Sequence, residues 1–294
     1  MKLGRSSAER AMVYGHGWLA LGAAAQTWWT CMYLGHGLPH VRITMAVFLG
    51  MFAMYNLLRW VRSQEEVSRT RFPFLHWHHA HRRLLSPISG FAAIGGLLLL
   101  APELDKLWRV LALALLPGLL YLLPWQRGGR SIGLRYVPML KVLVITWCWT
   151  MATVAMPIAL GSSDLFAEPL LAHGMVHVPL YLSVALLFDL RDRHVDPPGL
   201  RTVPQLIGEG WTRALVVLLF LYAGGIVLLR GMLGYMAYVE GDIPWSEVLA
   251  SMGFLLGAVL ALFASTKRSD RFFDLGVDGL LILIPMLAWS GERI

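Results

Sequence analysis

Long apolar runs separated by short charged segments dominate this chain. A helix needs about 20 apolar residues to cross a bilayer. Runs of roughly that length recur near 11–34, 43–59, 87–101, 107–125, 137–160, 169–188, 214–229, 245–264 and 272–289, the third being short. The pattern predicts an all-α integral membrane protein, with about nine transmembrane helices around a central cavity. No period-two alternation of the kind a membrane β-barrel requires is present. Two polar segments are longer than the rest, 59–86 and 189–212, and follow the second and sixth predicted helices. Both would lie on the same side of the membrane. No linker or low-complexity tract divides the chain, so residues 1–294 read as a single membrane domain.

Composition agrees. The chain is 57% hydrophobic and 15% charged, against about 25% charged in soluble domains. Its formal charge of +7 could suggest a nucleic-acid partner. In a membrane protein it is instead read as arginines held in cytoplasmic loops. With the N-terminus inside, most of the 25 Lys and Arg residues fall on the cytoplasmic side, while Asp164, Glu168, Glu240, Asp242 and Glu247 fall outside. Nine helices, N-terminus in and C-terminus out, follow, in a bacterial inner membrane. The basic start (Lys2, Arg5, Arg10) and Ala23-Ala24-Ala25 could mimic a signal peptide. The apolar run continues through Trp28, Trp29 and Met32, which predicts a retained helix. Cys31 and Cys148 both lie in apolar runs and suggest neither a disulfide nor a zinc site.

Candidate chemistry concentrates at the end of the sixth run, in Asp189-Leu-Arg-Asp192-Arg-His-Val-Asp196. Steps of three and four residues would place the three carboxylates on one helix face. Three acids beside a bilayer repel one another and call for a cation. Magnesium commonly takes one or two carboxylates plus substrate phosphates, and Arg191, Arg193 and Arg201 supply forked donors for phosphate oxygens. Asp189, Asp192 and Asp196 are therefore the candidate Mg²⁺ ligands, with a solvated helix end as the competing reading. Pro197-Pro198-Gly199 would end the helical run.

The stretch Phe188-Asp-Leu-Arg-Asp-Arg-His-Val-Asp-Pro-Pro-Gly-Leu-Arg-Thr-Val-Pro-Gln-Leu-Ile-Gly208 resembles the second aspartate motif of the UbiA family of intramembrane prenyltransferases. Nine helices with cytoplasmic loops after the second and sixth resemble that family too, as do Lys141 in its helix and Asp278-Gly279 in the last one. The resemblance implies a reaction. A Mg²⁺-held prenyl diphosphate ionises to an allylic cation, which alkylates a hydrophobic acceptor, often aromatic. Cations would stabilise the departing diphosphate, and an apolar cavity would keep water from the carbocation.

The chain departs from the family at the first motif, usually N-D-x-x-D-x-x-x-D. Here Tyr55-Asn56-Leu-Leu-Arg-Trp-Val-Arg-Ser-Gln64 keeps Asn56 but has Leu57, Trp60 and Gln64 at the acid positions. Glu65 and Glu66 read as surface acids. Downstream, His81-Arg82-Arg83-Leu-Leu-Ser86-Pro87-Ile-Ser89-Gly90 still resembles the basic segment that follows the motif. Two readings result. In one, Arg59, Arg62, Arg82 and Arg83 replace the lost metal, and with Arg191, Arg201 and Lys141 hold the diphosphate while Asn56 assists. In the other, prenyl transfer is lost, and the protein binds a lipid or prenyl ligand or serves as a non-enzymatic membrane subunit. A transporter is weaker, since no paired broken helices appear.

Further residues carry two readings each. His76, His78, His79 and His81 could ligate metal or act in proton transfer, or form an interfacial segment on anionic lipid. His173 and His177, four apart, could hold haem or a metal, or pack helices through hydrogen bonds. Lys141 and Asp278 are intramembrane ionisable groups and so functional candidates that could line the cavity, or they could pair with each other structurally. Tyr55 and Trp60 could shield a carbocation or sit at the interface.

Overall fold

The computed structural model describes residues 6–34, 40–63, 73–122, 125–127, 130–132, 137, 139–161, 168–194, 201–237 and 243–293. The chain runs through α1 (Ser7–Tyr14), α2 (Gly17–Tyr33), α3 (His40–Ser63), α4 (Pro73–Ala80), α5 (Arg82–Leu100) and α6 (Leu104–Leu122). A small antiparallel ribbon follows, β1 (Trp125–Arg127) against β2 (Arg130–Ile132). It is the one departure from helix among the described elements, and no hydrophobic periodicity announced it. The rest comprises α7 (Leu140–Gly161), α8 (Glu168–Asp192), α9 (Val203–Ala237), α10 (Trp245–Phe263) and α11 (Phe272–Gly291).

Seven helical stretches among the described residues are long and apolar enough to cross a membrane, and the protein is an integral membrane protein. One of them, Arg82–Tyr121, is 40 residues long. It contains both α5 and α6, separated by a 3₁₀ turn at Ala101–Glu103 that carries Pro102. α2, at 17 residues, falls just below the usual spanning length. The first apolar run, expected as one continuous helix over 11–34, is instead broken. α1 stops at Tyr14, and His16 takes a left-handed conformation, φ 61° and ψ 14°, before α2 begins at Gly17. A non-glycine residue in that region is uncommon and marks a constrained position.

The helices pack in a ring. α2 lies against α3 and α11, α3 against α5, and α6, α7, α8, α9, α10 and α11 each against the next; α2 also touches the middle of α7. Large side chains such as Phe91 and Trp211, 76% and 74% exposed, face outward as a lipid-facing surface would. Where helices meet, small residues let the backbones approach. A Cβ on Gly224 would lie 2.9 Å from Phe254 Cβ, and one on Gly257 would lie 2.7 Å from Phe220 Cε1. The α9–α10 contact is thus a reciprocal glycine–phenylalanine fit.

Two spans contain a π turn, a feature often found at functional sites. In α7 it covers Met151–Ala155. Pro157 lacks the N–H that would bond back to Thr153, and the wider turn accommodates that loss. In α11 it covers Phe272–Val277, and the Asp278 N–H donates to the Phe273 carbonyl, five residues back, at 3.0 Å.

Candidate functional site

Because successive helices alternate in direction, the C-terminal ends of α3, α8 and α10 share one end of the bundle with the N-terminal ends of α2, α5, α7, α9 and α11. The expected site residues on those elements therefore converge there. α8 ends at Asp192, followed by a turn at Arg193–His194. Asp189 and Asp192 share a helical face one turn long. Asp196 lies outside the described residues, so of the three expected acids Asp189 and Asp192 are the two placed here.

Both acids meet cations. Asp189 is 1% exposed and receives the Lys141 Nζ from the first turn of α7, 2.6 Å from Oδ1. Arg191 donates from Nε to Asp192 Oδ1 at 2.7 Å and from Nη2 to Oδ2 at 3.1 Å. Its Nη1 donates to Asp274 Oδ1 of α11 at 3.0 Å. The guanidinium also lies over the Phe188 ring, 4.7 Å from its centroid. Arg191 therefore joins the acids of α8 to those of the last helix. Arg59 and Lys141 are within electrostatic reach of Asp192, and Asp278 interacts with Asp274, Arg191 and Arg59. At this end an apolar bundle holds at least four carboxylates and three cations in one partly buried cluster. Among the described residues no group of three or more His, Cys, Asp or Glu side chains is placed to hold a metal ion.

Asn56 and its neighbours form a separate brace. The Asn56 amide donates to the Gly15 carbonyl at 3.0 Å and to the Phe52 carbonyl at 2.9 Å. Carbonyls only accept, so this fixes the amide orientation and leaves Oδ1 to accept from His78 Nε2 at 3.2 Å. All three polar groups of Asn56 are thus engaged in joining α3, α4 and the break before α2. His78 is buried, and burial, aided by Arg59 and by His79 and His81, lowers its pKa from 6.5 to about 4. Arg59 Nε donates to His16 Nε2 at 3.2 Å, and its guanidinium lies 4.4 Å from the Phe74 ring centroid. His16 is consequently a neutral acceptor protonated at Nδ1.

The other expected residues are spread more widely. Arg82, at the start of α5, bonds His79 through both its ring and its carbonyl. Arg201 is exposed in a left-handed conformation, φ 45°, immediately before α9. The Arg62 side chain, Glu65 and Glu66 lie outside the described residues. Of the two aromatic candidates, Trp60 is exposed. Tyr55 instead accepts from Trp149 Nε1 at 2.8 Å, and Trp149 packs 5.2 Å from Tyr181. That pair gives the bundle interior an aromatic wall beginning one turn below Arg59. Of the histidine cluster, Trp77 stacks on His81 at 4.2 Å, and only His78 among the four is buried.

Two participants were not anticipated from sequence. Asp274 sits four residues before Asp278 in an apolar helix, a spacing that puts both on one face and was a usable signal. His16 gave only its Gly15–Gly17 flanks as a hint.

Among curated proteins, the chain is 25% identical over 169 residues to protoheme IX farnesyltransferase 2 of Vibrio campbellii (strain ATCC BAA-1116). The match covers 57% of this chain and 53% of that protein, so the chain spans about half the length of the relative it matches. The match supports the likeness to UbiA prenyltransferases carried by the second aspartate motif. No protein-family model and no solved structure matches the chain.

Proposed function

We propose that this protein is a UbiA-like intramembrane prenyltransferase, moving a prenyl group from a prenyl diphosphate to a hydrophobic acceptor. The observation that carries the reading is the cluster of Asp189, Asp192, Lys141, Arg191 and Arg59 at one end of an apolar bundle. Similarity to a protein named as a farnesyltransferase adds support. The reading includes nine membrane crossings, counting α2, α5 and α6 separately. It also places the cluster at the cytoplasmic face of a bacterial inner membrane.

The donor set suits magnesium, because Asp189 and Asp192 are oxygen donors that can be completed by substrate phosphates and by Asp196. When bound, the ion would neutralise charge developing on the diphosphate. The chain's own groups do the rest. Lys141 and Arg191 neutralise the two carboxylates in the free protein. With substrate present, these cations and Arg59 turn toward the phosphate oxygens, while Arg62 and Arg201 lie on the flanking segments. Arg191 suits this exchange because its fork can hold a phosphate as it holds a carboxylate. Asn56 acts as a positioning residue through Gly15 and His78, and Arg82 steadies the α4–α5 corner through His79. The apolar bundle excludes water, and the Tyr55–Trp149–Tyr181 wall offers π-density to the allylic cation.

The test uses purified full-length protein in nanodiscs, Mg²⁺, labelled prenyl diphosphates of several lengths and a lipid-extract acceptor pool. Diphosphate release with prenylated product is expected, abolished by Asp192→Asn. The reading fails if no diphosphate is released with any chain length, or if Asp192→Asn leaves the rate unchanged.

A further inference from the structure

At the opposite end of the bundle, α2, α8 and α9 enclose a narrow cleft lined by Trp29, Tyr33, His173, His177, Val227 and Arg230. It is remote from the acid cluster: His177 precedes Asp189 by twelve residues on α8, about 18 Å along the helix. Its floor is His177, 1% exposed. The Nδ1 of that ring bonds the His173 carbonyl at 3.0 Å. A carbonyl can only accept, so the hydrogen resides on Nδ1 and the neutral ring presents a bare lone pair at Nε2. Nε2 is sealed from solvent and has no hydrogen-bond partner among the described residues, a costly state for a buried acceptor. The walls are aromatic, with Trp29 at 5.0 Å from His177 and Tyr33 at 5.7 Å from His173.

The rim has the opposite need. Arg230 is exposed and lies over the Tyr33 ring at 5.4 Å, with no carboxylate at ion-pair distance among the described residues. The Tyr33 hydroxyl is turned to Glu247 Oε1 at 3.4 Å. The cleft thus pairs an exposed cation with a buried acceptor that wants a hydrogen-bond donor, and its floor admits only a group about the size of a water. A metal ion suits it poorly, because Arg230 repels a cation and no third ligand stands near among the described residues. What satisfies both demands is a phosphate ester carrying a free hydroxyl. We propose that this cleft binds the headgroup of an anionic, hydroxyl-bearing phospholipid, its phosphate at Arg230 and its hydroxyl donating to His177 Nε2. Position favours lipid over a soluble ester, since Arg230 lies about two turns before the end of α9 and Glu247 in the first turn of α10, near the helix ends where headgroups reside.

Native mass spectrometry of the full chain, reconstituted with defined lipids, tests this. The probes are phosphatidylglycerol, phosphatidic acid (phosphate without the hydroxyl), phosphatidylcholine and soluble glycerol phosphate. Phosphatidylglycerol should be retained about fivefold more than phosphatidic acid, the worth of one net hydrogen bond, and phosphatidylcholine least. His177→Phe should bring phosphatidylglycerol and phosphatidic acid to parity, while Arg230→Gln should weaken both. Because Arg230 is exposed, that second variant keeps the test alive if the first misfolds. Retention of glycerol phosphate equal to that of the lipid would keep the hydroxyl–phosphate chemistry and move its source to solution. Equal retention of phosphatidylglycerol and phosphatidylcholine, or an unchanged lipid preference in Arg230→Gln, would overturn the proposal.

Discussion

Replacing Arg191 by Met tests whether the acid cluster depends on one cation. Its guanidinium makes three contacts of 2.7–3.1 Å to Asp192 and Asp274. The side chains are 14%, 20% and 12% exposed, so water screens them little. Removing the cation leaves two carboxylates facing each other in a partly buried site. Breaking such a pair by deleting one partner costs about 3–5 kcal/mol. Methionine keeps much of the packing against Phe188, so the loss is chiefly electrostatic. For a chain of this size about 2 °C of Tm accompanies each kcal/mol, giving an expected fall of about 6–10 °C. Thermal unfolding in detergent at pH 7.5 measures it. The triple variant Arg191→Met, Asp192→Asn, Asp274→Asn removes both facing carboxylate charges together with the cation, and it should recover at least half of the loss. An Arg191→Met Tm within about 2 °C of the parent, or a triple variant less stable than the single one, would refute the bridging role.

Lys141→Met should likewise destabilise the protein by removing the cation paired with the buried Asp189; Lys141→Arg should recover stability better than it recovers diphosphate release, read by Tm and by product assay. Burial holds His78 neutral in the fold, with a pKa near 4 against 6.5, so the unfolded chain takes up the proton first as pH falls. Stability should therefore be complete above pH 6.5 and decline between 6.5 and about 4. His78→Gln, which can still donate to Asn56 Oδ1, should flatten that part of a Tm–pH profile. A Cβ on Gly291 would lie 2.4 Å from the backbone of Trp245 and Ser246, so Gly291→Ala should cost about 1–3 kcal/mol. Gly225→Ala, which meets nothing within 4 Å, should be neutral or gain up to about 1 kcal/mol, and denaturant titration distinguishes the pair.

Much of the architecture was legible because a bilayer imposes a simple length rule on apolar runs. The runs near 245–264 and 272–289 match α10 and α11 within one or two residues. Extension at the ends was less legible. α9 begins at Val203 rather than near 214, across a bend at Gly208 with φ 84°, and polar Gln205, Glu209 and Arg213 hid that helical part from a hydropathy reading. The break at His16 was invisible for the converse reason, since Gly15, His16 and Gly17 barely dent an apolar average. In the site, Lys141 and Asp189 could each be named from sequence as costly intramembrane charges, but their pairing joins positions 48 apart. No local spacing encodes that partnership. Asn56 was legible as a residue and not as a role, because its partners Gly15 and His78 are set by tertiary packing.

The segment around Asn56, which resembles a first aspartate motif without its acids, has a physical reading in the structure. Leu57 and Trp60 are exposed, as side chains facing lipid would be, while Asn56 and Arg59 turn inward to Gly15, His78 and His16. This helix end therefore brings a cation, Arg59, within electrostatic reach of Asp192 where acids would repel Asp189 and Asp192. The acid that does face α8 comes from the last helix, where the π turn carries Asp274 to Arg191 and Asp278 follows on the same face. If catalysis persists in this chain, its demand for carboxylates opposite α8 falls on Asp274 and Asp278. Asp274→Asn should then depress diphosphate release far more than Leu57→Asp restores it. The reverse ranking would return the opposing half of the site to α3.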